Sequence, residues 1–174
     1  LRERDSKALQ RARISLKKDI DRIQFEQFVF FQQWLQLKQY AHQHNIRVFG
    51  DMPIFVAHDS AEVWAHREYF SVDTHGHPIS VAGVPPDYFS ATGQLWGTPV
   101  YRWWRHRLTG FRWWLNRLER QLTLFDLLRL DHFRALEAYW TVPGDESTAQ
   151  NGAWASRYAA IRPSVRASGA AVTS

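Results

Sequence analysis

The chain contains no cysteine and a single methionine, Met52. The absence of cysteine excludes disulfide bonds and every role of a thiolate, whether as nucleophile or as metal ligand. No apolar run approaches the roughly 20 residues that span a bilayer, and the charged start LRERDSKALQ lacks the apolar stretch of a secretion signal. We therefore expect a cytoplasmic protein with no membrane partner.

The length of the chain and its first residue indicate how many domains it holds and whether it is part of a longer protein. A chain of 174 residues with 45% apolar residues suits one folded domain with its own core. The chain starts at Leu1, and its only methionine is internal. We therefore expect an internal fragment of a longer protein.

The formal net charge of +5 and the nine tryptophans allow two interpretations. Cationic grooves with stacking aromatic rings bind single-stranded nucleic acid, whereas arginines on solvated helix faces with tryptophans in the core are a common structural arrangement. The basic residues are spread over three stretches, and most tryptophans fall at core spacing. The sequence favours solvated helices and predicts no nucleic-acid partner, with a basic nucleic-acid-binding module as the remote alternative.

Local patterns predict alternating helices and strands. Residues 16–45 favour a helix, although IQFEQFVFF within them could equally be a buried strand. IRVFGDMPIF is typical of a strand with Asp51 at its end, and Ser60 is a suitable N-cap for a short helix. Residues 72–101 form a long irregular segment, a kind of loop that is functional when ordered.

Two further elements follow the irregular segment. Six apolar side chains at spacings of 4, 3, 4, 3 and 4 predict one helix with a single apolar stripe: Trp104, Leu108, Phe111, Leu115, Leu118 and Leu122. The run FDLLRLDHFR predicts a strand with leucines on one face and Arg129 and Asp131 on the other. This order of strands and long helices indicates an α/β fold with a parallel sheet.

Asp51 and Asp131 are the carboxylates most suited to catalysis, because each ends a predicted strand, where parallel α/β folds place catalytic groups. Arg129 lies on the same strand face as Asp131 and could hold that carboxylate by charge and hydrogen bonding. A cap or turn role for Asp51 and a structural ion pair for Arg129 and Asp131 remain the alternatives. The eight histidines lack ligand spacing, so no metal or cofactor is expected.

Carboxylates and aromatic rings together suit a sugar substrate, since rings stack on sugar faces and acids act on the glycosidic bond. The stretches GDMPIFVAHDSAEVW, VAGVPPDYFSATGQLWGTPVY and LLRLDHFRALEAYWTVP occur in this order. They closely resemble the signatures of the 4-α-glucanotransferases, also called amylomaltases or disproportionating enzymes. The resemblance covers about residues 14–154.

The resemblance implies part of a (β/α)8 barrel of the α-amylase superfamily type with a long inserted loop. It implies transfer of α-1,4-glucan segments to the 4-hydroxyl of an acceptor sugar through a covalent glycosyl-enzyme. Maltooligosaccharides are the expected partners, and no obligate protein partner is expected. By resemblance, Asp131 is the nucleophile, Arg129 orients it, His132 contacts bound glucose, and Asp51 supports the site.

The same resemblance assigns residues 72–101 as a lid loop over the cleft, with a purely folding role as the alternative. Tyr88 and Phe89 would stack on glucose rings, and Asp87, Gln94 and Trp96 would supply polar and packing contacts. Covering the glycosyl-enzyme would favour sugar acceptors over water.

The sequence departs from the family pattern beyond the nucleophile strand. A retaining double displacement needs an acid/base carboxyl roughly 5 to 5.5 Å from the nucleophile, and neither Glu137 nor Glu146 has the family's context for it. The second stabilising aspartate of the family also has no counterpart here. We expect residues 1–154 to be a fragment of the catalytic barrel that is inactive alone, and 155–174 to be a divergent, disordered tail. A non-catalytic glucan-binding remnant is the alternative.

Overall fold

The computed structural model describes residues 1–156. Most of the expected tail, residues 157–174, lies outside the described residues. Helices and strands are mixed along the described part of the chain, with a parallel strand pair and a separate antiparallel sheet. In chain order they are α1 (Ser6–Ser15), α2 (Lys17–Gln43), β1 (Phe49–Pro53), α3 (Ala61–Ala65), β2 (Ser80–Val84), β3 (Gln94–Pro99), α4 (Trp103–Leu108), α5 (Arg112–Leu124), β4 (Leu127–Asp131), β5 (Ala138–Pro143) and β6 (Ala153–Ser156).

Helix α2 is continuous, so the helical alternative for IQFEQFVFF is confirmed and the strand alternative is wrong. The residues that face the rest of the fold recur at helical spacing. The Trp34 indole donates to the Leu124 carbonyl at 2.8 Å, and the Lys38 ammonium pairs with Asp126 at 3.2 Å. Within residues 1–156, no helix is both long and apolar enough to cross a membrane.

Strands β1 and β4 pair in parallel, which confirms the predicted parallel sheet at this pair. Asp51 lies opposite Arg129, and Pro53 lies opposite Asp131. The pairing begins at Asp126, whose carboxylate accepts a hydrogen bond from the Val48 backbone N–H at 2.8 Å. Asp126, directly before β4, therefore anchors the register of the two strands that carry the catalytic candidates.

The segment 72–101, which the sequence predicted to be irregular, contains the hairpin β2–β3, so that prediction was wrong. The hairpin belongs to an antiparallel sheet of order β3-β2-β5-β6. The sequence did not reveal its strands because turn-forming glycines lie at and within them: Gly93 at the hairpin turn and Gly97 inside β3 both have left-handed backbone conformations. Residues 72–79 before β2 and residues 85–93 between the two strands remain irregular, and the latter form the loop that joins the hairpin.

The single helix predicted after this segment is also broken, because Gly110 and Phe111 both have positive φ and separate α4 from α5. The break rotates the faces of the two helices relative to each other. Leu108 and Leu115, members of the predicted stripe, are 71% and 59% exposed, whereas Trp113 and Trp114 are buried. Sequence periodicity across the break therefore identified the wrong buried face.

The main core is aromatic and lies beneath the end of β1. Tyr101 is buried, and its hydroxyl donates to the Ile54 carbonyl at 2.6 Å. Its ring contacts Phe55, Phe70 and Trp113 at centroid distances of 5.3 to 5.7 Å. The core thus holds the chain directly after the strand that carries Asp51.

Candidate functional site

Asp51, Arg129 and Asp131 meet at the carboxyl ends of β1 and β4. Arg129 donates from Nε to one oxygen of Asp51 at 3.0 Å and from Nη2 to the other. The same Nη2 lies 3.9 Å from an oxygen of Asp131. The two carboxylates therefore share one guanidinium, and all three side chains are exposed on the same face of the strand pair.

The two-point bond between Arg129 and Asp51 dominates the electrostatics of this cluster. The hydrogen bond from Arg129 holds the pKa of Asp51 below its usual value, and the same bond raises the pKa of Arg129. The sequence had suggested a hydrogen bond from Arg129 to Asp131. The parallel register instead places Asp51 directly opposite Arg129, so Asp51 takes the hydrogen bonds and Asp131 stands at an ion-pair distance.

His132 follows β4 directly and adopts a left-handed backbone conformation, with φ of 53°. Its ring meets the Trp96 indole edge-on, with 5.0 Å between the ring centroids. Burial lowers the pKa of His132, and among the described residues its buried Nε2 has no hydrogen-bond partner. A non-glycine residue in this conformation is a strained feature of the kind found at functional sites.

The loop 85–93 presents two aromatic rings to solvent. Tyr88 and Phe89 are 97% and 91% exposed, and their rings meet edge-on at 5.5 Å. Asp87 forms the turn beneath them, since its carboxylate accepts hydrogen bonds from the backbone N–H groups of Phe89 and Ser90 at 2.9 and 2.8 Å. At the base of the loop, the Gln94 side chain accepts a hydrogen bond from the Trp96 indole at 3.1 Å.

The fold therefore brings most, but not all, of the predicted site residues together. Asp51, Arg129 and Asp131 form one cluster, and His132 links its end to Trp96 on the hairpin. In the described part of the chain, no hydrogen bond, ion pair or ring contact joins the strand ends to Tyr88 or to its neighbours Asp87 and Phe89.

Sequence reasoning missed Arg117, which supports the site from behind. Its guanidinium lies over the Trp113 and Trp114 rings at 5.5 and 5.3 Å. It donates to the carbonyls of Pro53 and Ile54 at 2.6 and 3.0 Å, just beyond Asp51. The spacing of four between Trp113 and Arg117 was a usable signal, because residues four apart share a helix face.

Possible metal ligands are dispersed in the part of the chain that the structure covers. Among residues 1–156, no three histidine, aspartate or glutamate side chains group in a way that could hold an ion. The chemistry available at the strand ends is therefore that of carboxylates, a guanidinium and an imidazole.

Comparison with known proteins identifies the family. A family model described as 4-alpha-glucanotransferase matches residues 1–166. The chain is 54% identical over 154 residues to a 4-alpha-glucanotransferase of Thermus thermophilus, covering 88% of this chain and 31% of the relative. It is 51% identical over 154 residues to that of Aquifex aeolicus, covering 88% and 32%.

A solved structure supports the same assignment. Amylomaltase from Streptococcus agalactiae in complex with acarbose matches with a TM-score of 0.87 and 40% identity, over 92% of this chain and 34% of the other. The chain spans about a third of the length of the relatives it matches. The resemblance inferred from the three sequence stretches is confirmed: the chain belongs to the 4-alpha-glucanotransferase family.

Proposed function

We propose that this chain carries the nucleophile and the substrate-facing loop of a 4-α-glucanotransferase that acts by a retaining double displacement. The observation that carries the proposal is the position of Asp131 at the end of β4, beside the Arg129–Asp51 pair. In this proposal β1 and β4 are two strands of a (β/α)8 barrel. Their exposed face, with Asp51, Arg129 and Asp131, points into the barrel at its carboxyl end.

The proposed first step is attack by a carboxylate oxygen of Asp131 on the anomeric carbon of an α-1,4-glucan. The glycosidic bond breaks, the leaving O4 takes a proton, and a glycosyl ester forms. The 4-hydroxyl of an acceptor sugar then displaces Asp131 and restores the α-linkage. Arg129, fixed by Asp51, orients the nucleophile from one side.

The glucan would lie between the strand ends and the hairpin. Within residues 1–156 the His132 Nε2 has no hydrogen-bond partner, which suits a sugar hydroxyl, and Trp96 contacts the imidazole ring. Tyr88 and Phe89 would stack on glucose rings farther along the glucan, with Asp87 and Gln94 shaping the loop that carries them. We propose that residues 72–101 act as a lid of the barrel domain formed by residues 1–154.

The proposed mechanism also needs an acid/base carboxyl. Glu137 ends a short 3-10 helix, and the Glu146 carboxylate accepts a hydrogen bond from Asn151. Neither has the family's sequence context, so we expect the acid/base to lie outside these 174 residues. The chain should then form a glycosyl ester only with a donor whose leaving group needs no proton.

The nucleophile can be tested with 5-fluoro-α-D-glucosyl fluoride. Fluoride departs with the electron pair of the C1–F bond without general acid catalysis, and the fluorine at C5 slows breakdown of the ester. We expect one glycosyl adduct per chain by intact-mass measurement, mapped by peptide analysis to Asp131. The variant Asp131→Asn should remain unlabelled, whereas Asp145→Asn, at an exposed aspartate of another loop, should be labelled like the parent.

Equal labelling of the parent and Asp131→Asn would reject Asp131 as the nucleophile. The rival function, a non-catalytic glucan-binding remnant, is favoured by the context of Glu137 and Glu146. It predicts that the chain binds maltoheptaose in calorimetry but forms no adduct. The two outcomes therefore separate a catalytic from a binding role.

A further inference from the structure

The segment of residues 144–152, called here the supporting segment, connects β5 to β6 and contacts the loop 85–93. The Ala149 backbone N–H donates to the Thr92 carbonyl at 3.0 Å. The Gln150 side-chain amide donates to the Ala91 carbonyl at 3.2 Å. Two hydrogen bonds, one from the main chain and one from a side chain, therefore join the supporting segment to the return half of the aromatic loop.

The supporting segment is itself anchored to the sheet. The Trp140 indole on β5 donates to the Ala149 carbonyl at 2.8 Å. Ala149 is fully buried and forms a small second core with Val81 of β2 and Val142 of β5. The contact with the loop thus rests on two paired strands of the antiparallel sheet rather than on another surface loop.

Packing between the loop and the supporting segment leaves no spare volume. Gly93 has φ of 69°, and a Cβ added there would lie 2.9 Å from the Ala149 Cβ and would overlap the Val84 carbonyl. Contacts this close cannot be made by real Cβ atoms without movement of the neighbours. The methyl group of Ala149 therefore sets how the loop leaves the sheet.

Hydrogen bonds inside the loop 85–93 connect Gly93 to the turn that bears the Tyr88 and Phe89 rings. The Ser90 hydroxyl donates to the Gly93 carbonyl at 2.8 Å, and the Ser90 backbone N–H donates to Asp87 at 2.8 Å. Tyr88 and Phe89 stand on the turn that these bonds close, and both rings are almost fully exposed. A pair of exposed rings on an anchored turn is preorganised for a flat ligand, which lowers the entropic cost of binding.

We propose that Ala149 and Gln150 are positioning residues for the glucan, holding the loop 85–93 so that Tyr88 and Phe89 are placed before the sugar binds. This inference rests on the proposed function, in which those two rings contact an α-1,4-glucan. It assigns to the supporting segment a share in substrate affinity that acts through the position of the loop 85–93.

The test combines amide hydrogen exchange with maltoheptaose binding in the 174-residue chain. Gln150→Glu keeps the side-chain shape and removes the donor to Ala91, so it should loosen the loop without disturbing the core. Ala149→Leu should displace the loop through its added volume. Ser147→Ala, at an exposed position of the same segment, is the matched control.

We expect Gln150→Glu to speed exchange of the Ser90, Gly93 and Ala149 amides about 5-fold or more, the effect of losing one hydrogen bond. Maltoheptaose affinity should fall about 3- to 10-fold, while the urea midpoint of unfolding stays that of the parent. Ala149→Leu should have a larger effect on both amide exchange and maltoheptaose affinity. Ser147→Ala should change neither.

Unchanged exchange in Gln150→Glu would overturn the inference whatever happens to binding. Faster exchange with unchanged maltoheptaose affinity would overturn the positioning role. If the parent chain does not bind maltoheptaose, the glucan part of the proposed function fails and the positioning role fails with it. The exchange rates would then still decide whether the supporting segment holds the loop.

Discussion

The buried histidine His106 should make the stability of this chain depend on pH. It is completely buried, its ring stacks on Tyr69 at 4.6 Å, and it packs against Tyr101, Trp103 and Trp113. Among the described residues neither ring nitrogen has a partner of good hydrogen-bond geometry, and the Tyr69 backbone gives at most a weak one. Burial lowers the pKa of His106 from 6.5 to about 4, with the backbone of Tyr69 opposing the shift.

The direction in which stability changes with pH follows from how many protons His106 binds in the folded and the unfolded chain. Between pH 6.5 and pH 4 the unfolded chain protonates His106 and the folded chain does not, so stability falls as the pH falls. A pKa difference of about 2.5 corresponds to about 3 kcal/mol in total, of which about 2 kcal/mol is lost between pH 7 and pH 5. This is a large share of the 5 to about 15 kcal/mol that stabilises a typical domain.

The assay is urea unfolding at pH 7, 6 and 5 for the parent and for His106→Phe. The phenyl ring fits an aromatic environment and does not titrate, so the variant should lose about 2 kcal/mol less than the parent over this range. His132, whose pKa burial also lowers, affects both proteins equally and cancels in the difference. Parallel pH curves for the two proteins would refute the reasoning.

Substitutions at three further positions, Gly50, Arg117 and Asp126, test the support of the site by urea unfolding. Gly50→Ala places a Cβ 2.3 Å from the Phe125 ring and should cost about 1–3 kcal/mol, with partial rescue by Phe125→Leu; additivity of the two changes would argue against the clash. Arg117→Met leaves the two carbonyls after β1 without their charged donor and should cost about 2 kcal/mol, so an unchanged midpoint would exclude that role. Asp126→Ala should lower the midpoint more than Asp126→Asn, which keeps an acceptor for the Val48 N–H, and equal midpoints would exclude that bond.

The parts of this protein that were predictable from sequence are those set by local patterns. The two strands predicted to carry Asp51 and Asp131 both exist, and β4 ends at Asp131 as predicted. The predicted end of the first strand was wrong, because β1 continues past Asp51 to Pro53, where it still pairs with β4. Ser60 caps its helix as predicted, accepting a hydrogen bond from Val63. The motifs that identified the family lie on these same segments, because strand ends and the loops beside them carry chemistry in α/β folds.

What the sequence could not determine depends on partners distant in the chain. The choice of Asp51 rather than Asp131 as the hydrogen-bond partner of Arg129 follows from the parallel register, which pairs residues 78 positions apart.

Strand β2 pairs with both β3 and β5, and β5 lies more than 50 residues further along the chain, so local sequence did not reveal this sheet. The break at Gly110 exposes leucines whose spacing predicted burial, because a helix face is buried only where another element meets it. The existence of β1 and β4 and the end of β4 at Asp131 were thus predictable from sequence alone. The tertiary structure decided which charges pair, which rings are buried and which segment supports the aromatic loop, because each of these is a contact between elements that are far apart in the chain.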